Sequence, residues 1–162
     1  MTLKPLRNTD FKFPSLCFVC DQGNERGMQV PFALDTERGR VVAELNLGQP
    51  FSGAPNYVHG GAIAAVLDEA TAWAVIALLE RFGITRRSET SYKKPLLIGE
   101  TYQVEAWVEE QEDRKVTARA QILGQDGEVH AEFTGKYRVM DRAEAEKAIG
   151  QLSGNEAGYV RE

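Results

Sequence analysis

The side chains best suited to chemistry lie at the start of a long alanine-rich run. His59, Gly60 and Gly61 open this run, and Asp68 follows eight residues after Gly60. Two glycines at a helix amino terminus leave backbone N–H groups unshielded, with the positive end of the helix dipole behind them. Such a terminus can bind an anion or stabilise a developing oxyanion. We therefore expect the glycine pair to face a negatively charged or strongly polarised oxygen.

Asp68 stands in an otherwise apolar part of the same run. A carboxylate that is buried without a partner is costly, and loss of solvation raises the pKa of a carboxyl group towards that of a useful general base. Asp68 is thus either a catalytic base or a surface acid beside Glu69, which points about 100° away on the helix. We expect Glu69 to be structural and His59 to fix the loop. No Gly-x-Ser-x-Gly segment occurs, so the sequence offers no serine nucleophile elbow.

The run from Gly60 to about Arg81 predicts one long helix. It has no proline and seven alanines, and its 22 residues would span about 33 Å. Gly83 is expected to end it. A helix that is apolar almost all round either spans a membrane or is buried in a protein, and Asp68 with its acidic neighbour favours burial.

Strands are predicted on both sides of this helix. Two short ones, 28–34 and 40–46, flank a turn-rich connection, and another covers 88–95. Three further strands show strict alternation of apolar and polar residues, with short polar links typical of antiparallel hairpins. The apolar positions are Tyr102, Val104, Ala106, Val108, Val116, Ala118, Ala120, Ile122, Val129, Ala131, Phe133, Gly135, Tyr137 and Val139. The pattern indicates an α+β fold, a single antiparallel sheet around one buried helix.

The chain divides into an N-terminal extension (1–20), one domain (21–140) and a tail (141–162). The tail is predicted to start with a short polar helix over 141–149, capped by Asp141, and to be loose from Gly150 onwards. A length of 162 residues suits one domain.

Composition excludes several classes of protein. The 19 basic and 24 acidic residues give a net charge of −5, which argues against a sequence-blind nucleic-acid binder. No apolar run reaches the length of about 18 residues that a membrane span needs. The first residues lack the apolar segment of a secretory signal, and two cysteines in such a chain predict a reducing, cytoplasmic setting.

The sequence resembles a known family over roughly residues 17–140. The string HGGAIAAVLDEATAWA, followed by Tyr92-Lys-Lys-Pro95, is similar to the hotdog-fold acyl-CoA thioesterases of the HGG-motif type, which include phenylacetate-pathway and human thioesterase-superfamily members. The segments Ser52–His59 and Cys17–Cys20 look like one branch of that family. The resemblance implies a hotdog fold with five to six strands around the helix and hydrolysis of acyl-CoA to a carboxylic acid and CoA.

The resemblance also implies roles for individual residues. The Gly60 amide would bind the thioester carbonyl, Asp68 would act as general base or nucleophile, and Thr85 would help to hold the attacking water. The implied substrate-binding residues are His59, Gly61, Asn56, Tyr92, Lys93, Lys94, Pro95 and Arg86. Coenzyme A enters as part of the substrate, and neither a metal nor another cofactor is expected. Family members are homodimers or dimers of dimers in which Asp68 of one subunit faces Gly60 of its neighbour.

Some features leave alternatives open. Several relatives have Asn or Gln where this chain has Gly53, and Asn56 is a possible substitute. The basic stretch from Glu80 to Lys94 carries a local charge of +3, which suits either a solvated face or the phosphates of coenzyme A. Cys17 and Cys20 are a lone C-x-x-C pair, a weak signal for a metal or redox site because a structural zinc site takes about four ligands. Two other functions remain, a non-catalytic acyl-CoA-binding module and an acyl-CoA dehydratase or hydratase.

Overall fold

The computed structural model describes residues 2–11 and 15–152 as one antiparallel sheet with a long helix against it. The strands are β1 (Leu3–Pro5), β2 (Ala33–Asp35), β3 (Arg40–Leu45), β4 (Arg81–Tyr92), β5 (Tyr102–Glu112), β6 (Lys115–Leu123) and β7 (Val129–Asp141), and the helices are α1 (Gly60–Leu79) and α2 (Arg142–Leu152). Single 3-10 turns lie at Asn8–Asp10 and Gln49–Phe51. The strand order is β1-β2-β3-β5-β6-β7-β4, and every pairing is antiparallel.

The predicted α+β architecture is confirmed, but the strand count of five to six is wrong because the sheet has seven strands. The additional strand is β1, which pairs with β2 at one edge of the sheet. Its three residues are all exposed, so they carry no apolar alternation from which a strand can be recognised.

Helix α1 is the central element of the core. It packs against β3 to β7, and small side chains such as the fully buried Ala70 and Ala74 allow the sheet to approach closely. Within the described residues α1 is the one helix long and apolar enough to cross a membrane by length and composition. The core helix of a folded domain passes the same test, and half of the most apolar window of α1 is buried against the sheet.

The alternation predicted for the last three strands is confirmed. Tyr102, Val104 and Ala106 of β5 are buried, and the same holds along the apolar faces of β6 and β7. Because successive side chains of a strand point to opposite faces, this pattern fixes which face of the sheet meets α1.

The end of α1 differs from the prediction. The helix stops at Leu79 because Glu80 adopts a left-handed conformation (φ 54°), in which its N–H donates to the Ile76 carbonyl at 3.0 Å. Strand β4 begins directly afterwards at Arg81, seven residues before the predicted start. Gly83 therefore lies inside β4 and does not cap the helix. A Cβ there would meet Tyr137 Cδ1 at 2.9 Å, so this glycine makes room for the tyrosine.

The predicted strand over 28–34 is mostly absent. Only Ala33 and Leu34 join the sheet, in β2. Gln29 has a left-handed backbone (φ 52°), and the N–H groups of Met28 and Val30 donate to the carbonyls of Phe18 and Val19. The segment therefore holds the turn that contains both cysteines instead of pairing with a strand.

Helix α2 begins at Arg142 with the predicted Asp141 cap. Asp141 Oδ1 accepts from the Glu144 N–H at 2.7 Å, and Glu144 Oε2 accepts from the Asp141 N–H at 3.0 Å, which is a capping box. The helix continues to Leu152, three residues beyond the predicted end, so the loose tail does not begin at Gly150. Residues 153–162 lie outside the described part of the chain.

Candidate active site

Asp68 lies on the side of α1 that faces β4 and β7, and two hydroxyl groups hold the same oxygen of its carboxylate. Thr85 Oγ1 on β4 donates to Asp68 Oδ1 at 3.1 Å, and the Tyr137 hydroxyl on β7 donates to Oδ1 at 3.2 Å. These hydrogen bonds offset the free-energy cost of desolvating a carboxylate in an apolar helix. The structure thus brings together Asp68 and Thr85, which the sequence had linked only through the resemblance.

Tyr137 is a site residue that the sequence analysis missed. Its side chain is only 2% exposed, and its hydroxyl also hydrogen-bonds that of Thr71. Burial raises the pKa of Tyr137, and the charge of Asp68 raises it further, so the phenol stays a protonated donor at neutral pH. The available signal was a tyrosine on the apolar face of a strand, since a buried phenol needs a polar partner.

The amino terminus of α1 is built around His59. Its Nδ1 accepts from the Gly61 N–H at 2.8 Å, and its carbonyl accepts from the N–H groups of Ala62 and Ile63 at 2.9 and 3.1 Å. A Cβ at Gly61 would lie 3.0 Å from His59 Nδ1, so this cap favours glycine at position 61. His59 is therefore the N-cap of α1, which agrees with its expected role in fixing the loop.

Gly60 offers the one N–H of this first turn that has no hydrogen-bond partner among the described residues. The nearest atoms to a Cβ built at Gly60 belong to the Tyr92 ring at 3.6 Å, which is ordinary contact. Packing within the chain therefore does not demand a glycine here. The free N–H points away from the helix and is backed by the helix dipole, which makes it a donor for an oxyanion.

The Gly60 N–H and the Asp68 carboxylate of a single chain are too far apart to act on the same carbonyl group. Gly60 and Asp68 are eight residues apart on a helix, or about 12 Å along its axis. The same separation keeps His59 away from Asp68, so these two residues of one chain do not form the Asp–His pair that a dehydratase would use.

The other predicted substrate-binding residues fall into separate groups. The Tyr92 hydroxyl donates to the Gly60 carbonyl at 2.9 Å, which places that ring beside the free amide. Lys93 pairs with Glu132 at 3.4 Å and Lys94 pairs with Glu128, while the Pro95 carbonyl accepts from His130 Nδ1 at 3.1 Å. This part of the predicted basic stretch is therefore engaged with the sheet.

Arg86 lines an open cleft of about 840 Å³ that also reaches Tyr137. Five basic and three acidic side chains line this cleft: Arg86, Arg114, Lys115, Lys136 and Arg138, with Glu110, Glu112 and Asp113. The basic residues come from four different strands and turns, so a charge count along the sequence could not find the group.

Asn56 and Gly53 lie in the loop before α1. Asn56 is exposed and left-handed (φ 66°), and its carbonyl accepts from the Ile98 N–H. A Cβ at Gly53 would lie 3.2 Å from His59 Cα, so a side chain here would press on the residue that caps α1. This close approach gives a local reason for the departure from relatives with Asn or Gln.

A second group of chemically active side chains lies beside the first. Cys17, Cys20 and Glu69 place their sulfur and carboxylate oxygen atoms within 4.8 Å of one another, and both cysteines are free thiols. A structural zinc site takes four protein ligands, and this group supplies three.

Comparison with known proteins finds similar sequences among thioesterases. The sequence profile described as Thioesterase superfamily matches residues 55–131. The acyl-coenzyme A thioesterase THEM4 of Xenopus laevis is 30% identical over 99 residues, covering 60% of this chain and 44% of the relative. THEM4 of Mus musculus is 28% identical over 120 residues, covering 72% of this chain and 51% of the relative. The chain spans about half the length of the curated relatives it matches.

Solved structures agree on the fold. A thioesterase superfamily protein superposes with a TM-score of 0.69 at 27% identity, covering 74% of this chain and 58% of the other. A thioesterase from Streptococcus pneumoniae, solved with coenzyme A, gives 0.60 at 20% identity over 64% and 80% of the two chains. PaaI of E. coli gives 0.58 at 20% identity over 63% and 73%. The resemblance predicted from the HGG motif is therefore confirmed: this chain has the hotdog fold and is similar to the thioesterase superfamily.

Proposed function

We propose that the protein hydrolyses acyl-CoA thioesters to a carboxylic acid and free coenzyme A. The observation that carries the proposal is the Asp68 carboxylate, held at Oδ1 by the hydroxyls of Thr85 and Tyr137. The curated relatives named acyl-coenzyme A thioesterase support the same chemistry.

In the proposed reaction the thioester carbonyl oxygen accepts a hydrogen bond from the Gly60 N–H. This donor and the helix dipole stabilise the negative charge that develops on the oxygen during attack. Asp68 acts as general base: with Oδ1 fixed, Oδ2 takes a proton from water as the water attacks the carbonyl carbon. The tetrahedral intermediate then collapses and expels the thiolate of coenzyme A, which leaves readily because thiols are acidic compared with alcohols.

If Asp68 acted as a nucleophile, the reaction would proceed through a mixed anhydride. This route can be distinguished from general-base catalysis by where the oxygen atom of water is incorporated. In a single turnover in ¹⁸O-labelled water, a general base delivers the label to the carboxylic acid product. A nucleophilic Asp68 acquires label when water attacks the aspartyl carbon of the anhydride, and the product then carries an unlabelled oxygen from Asp68, so label on the Asp68 peptide would show a nucleophilic role. We expect the product to carry the label and the Asp68 peptide to remain unlabelled.

The proposed site is shared between two subunits. Since Gly60 and Asp68 of one chain are about 12 Å apart, Asp68 would act on a carbonyl held by the partner subunit's Gly60. Strand β4 supports such an assembly, because it is a twelve-residue edge strand that is exposed over most of its length. A free edge of this kind is a template for pairing with another chain, and a homodimer is the smallest closed arrangement.

The basic cleft is the proposed site for the phosphates of coenzyme A. It is lined by Lys136 and Arg138, the neighbours of Tyr137 along β7, and by Arg86 on the edge strand. Arginine suits phosphate because its planar guanidinium can donate two parallel hydrogen bonds.

The activity is tested by following thioester absorbance, not thiol release, because the protein has two cysteine thiols that would react with a thiol reagent. A panel of short, long and aryl CoA thioesters should show turnover by the wild type. Asp68→Asn should lose about 10²–10⁴-fold in rate. The matched control is Glu44→Gln, which changes an exposed acid on β3 and should leave the rate unchanged. Equal background rates for wild type and Asp68→Asn across the whole panel would favour the non-catalytic binding module.

A further inference from the structure

The turn that contains Cys17 and Cys20 is held in place on two sides. The Asp21 N–H donates to the Cys17 carbonyl at 3.1 Å, which closes the turn. From the next segment, the Met28 and Val30 N–H groups donate to the carbonyls of Phe18 and Val19 at 2.7 and 2.8 Å. The two cysteines are therefore presented by a fixed backbone.

Both sulfur atoms converge on one carboxylate oxygen of α1. Cys20 Sγ donates to Glu69 Oε1 at 2.9 Å and Cys17 Sγ lies 3.4 Å from the same oxygen. Glu69 has no basic side chain within ion-pair distance among the described residues. Its charge is thus not neutralised by a cation, which is an expensive arrangement for a purely structural acid.

The two thiols differ in access. Cys17 is partly exposed, whereas Cys20 is buried at 9% exposure. A reagent from solution therefore reaches Cys17 first, and Cys20 lies behind it within reach of the same carboxylate. This order is the one that a dithiol needs in order to exchange with a disulfide: an outer attacking thiol and an inner resolving thiol.

We propose that Cys17 and Cys20 form a thiol–disulfide exchange site, with Glu69 as the proton acceptor for Cys20. The oxidant is a small-molecule disulfide. The Cys17 thiolate attacks one of its sulfurs, which forms a mixed disulfide and releases one thiolate. Cys20 then transfers its proton to Glu69 and attacks Cys17 Sγ, which forms the Cys17–Cys20 bond and releases the second thiolate. The protein loses two electrons to the small disulfide, and the two released thiolates become thiols by taking one proton from Glu69 and one from solvent.

The acidities of the three groups support this order of steps. A hydrogen bond from Cys20 lowers the pKa of Cys17 to about 5, which favours the thiolate form of Cys17 as the attacking group. The hydrogen bond to Cys17 and burial both raise the pKa of Cys20. Burial, with the charge of Cys17, raises the pKa of Glu69 to about 7, which suits a group that accepts and returns a proton. The site is independent of the proposed hydrolase activity, although Glu69 is the direct neighbour of Asp68.

The experiment equilibrates reduced, chelator-treated protein with mixtures of reduced and oxidised glutathione under anaerobic conditions. Free thiols are then alkylated and the intact mass and the Cys17–Cys20 peptide are measured. We expect the wild type to lose two hydrogens in a single two-electron transition. Cys20→Ser should stop at a Cys17–glutathione adduct, and Cys17→Ser should form neither product.

Glu69→Gln isolates the proton transfer. The mixed disulfide should accumulate and resolve about tenfold more slowly, while alkylation of Cys17 continues. Circular dichroism of every variant checks the fold, and the wild-type peptide map does not depend on any substitution.

Either of two results would overturn the proposal. One is an absence of the Cys17–Cys20 disulfide at every glutathione ratio. The other is stoichiometric binding of Zn²⁺ to the reduced wild type that protects both thiols from alkylation and is lost in Glu69→Gln, because the three side chains would then be ligands.

Discussion

The carboxylate of Asp68 destabilises the apolar helix that carries it, but it is also the proposed general base. Its Oδ1 is held by two hydroxyls from two different strands, so the group can neither rotate freely nor lose its hydrogen bonds on burial. Positioning of this kind supplies much of the rate in hydrolytic sites. Tyr137 contacts Asp68 and not the proposed reacting atoms, so it is a positioning residue.

Removing one positioning hydroxyl should lower turnover without weakening substrate binding. Tyr137→Phe keeps the ring in the space beside Gly83 and Gly135 but deletes its hydrogen bond to Asp68. We expect kcat to fall about 10–100-fold with KM nearly unchanged. Thr85→Val should behave similarly and Thr85→Ser should recover most of the rate, which steady-state kinetics can measure. A rise in KM with constant kcat would contradict the positioning role.

Glu69 should make stability depend on pH in a direction that can be worked out. Its pKa is raised from 4.5 to about 7 in the folded protein, so its contribution is fully present below pH 4.5 and is lost as the pH rises through about 7. Relative to Glu69→Gln, the wild type should lose about 2 kcal/mol of unfolding free energy between pH 4.5 and 8. Urea unfolding of both proteins under reducing conditions measures this difference. Parallel pH profiles would contradict a desolvated carboxyl group.

Among the elements, the amino terminus of α1 and the edge strand β4 carry the function. The helix presents a free N–H at Gly60 because His59 has satisfied the others of the first turn. His59 itself has φ −61° and ψ 134°, an extended conformation that a following proline tolerates. The first helical position is also where proline fits best, since its N–H has no partner within the helix.

This geometry permits a substitution that removes only the proposed oxyanion donor. Gly60→Pro deletes the N–H, whereas Gly60→Ala retains it and adds a methyl group that has ordinary contact with Tyr92. Both proteins should melt at or above the wild-type temperature, because each restricts the unfolded chain. We expect Gly60→Pro to lose about 10²–10³-fold in kcat and Gly60→Ala to stay within about tenfold of the wild type. Equal rates for the two variants would show that this N–H has no part in the reaction.

The sequence predicted those elements whose residue pattern is periodic. It did not predict the boundaries and side-chain contacts that depend on tertiary structure. Helix α1 and strands β5 to β7 follow from alanine content and alternation. The start of β4 was missed because Glu80 ends the helix without a glycine, and β1 because all its residues are exposed. Of the site, Asp68 could be singled out as a lone acid in an apolar helix. Its contact with Tyr137 joins residues 69 positions apart, which no local pattern reveals.

At the scale of the whole molecule, β4 leaves one edge of the sheet open. Ile84 on this strand is 53% exposed, and Leu3, on the opposite edge of the sheet, is 45% exposed. Unpaired edges with exposed apolar side chains favour association with another chain. The proposed dimer would cover the β4 edge and would complete two sites at once.

A charge on β4 should therefore separate the subunits. Ile84→Glu is expected to weaken self-association at least about tenfold, since a buried unpaired charge opposes the interface. Activity should fall in parallel and recover at high protein concentration. Sedimentation velocity and rate measurements over the same concentration range test this, with Leu3→Glu as the control at the other edge. A monomeric wild type that is fully active would contradict the shared site.

Complementation between two inactive variants is the strictest test of an active site shared between subunits. Asp68→Asn and Gly60→Pro, mixed in equal amounts by co-refolding, form dimers in which one of the two shared sites has both an intact Asp68 and an intact Gly60. Thioester hydrolysis by the mixture should recover to about one quarter of the wild-type rate, because half of the dimers are mixed and each of these has one complete site. A mixture that stays as inactive as its two components would contradict a hydrolytic site built from Asp68 of one subunit and Gly60 of the other.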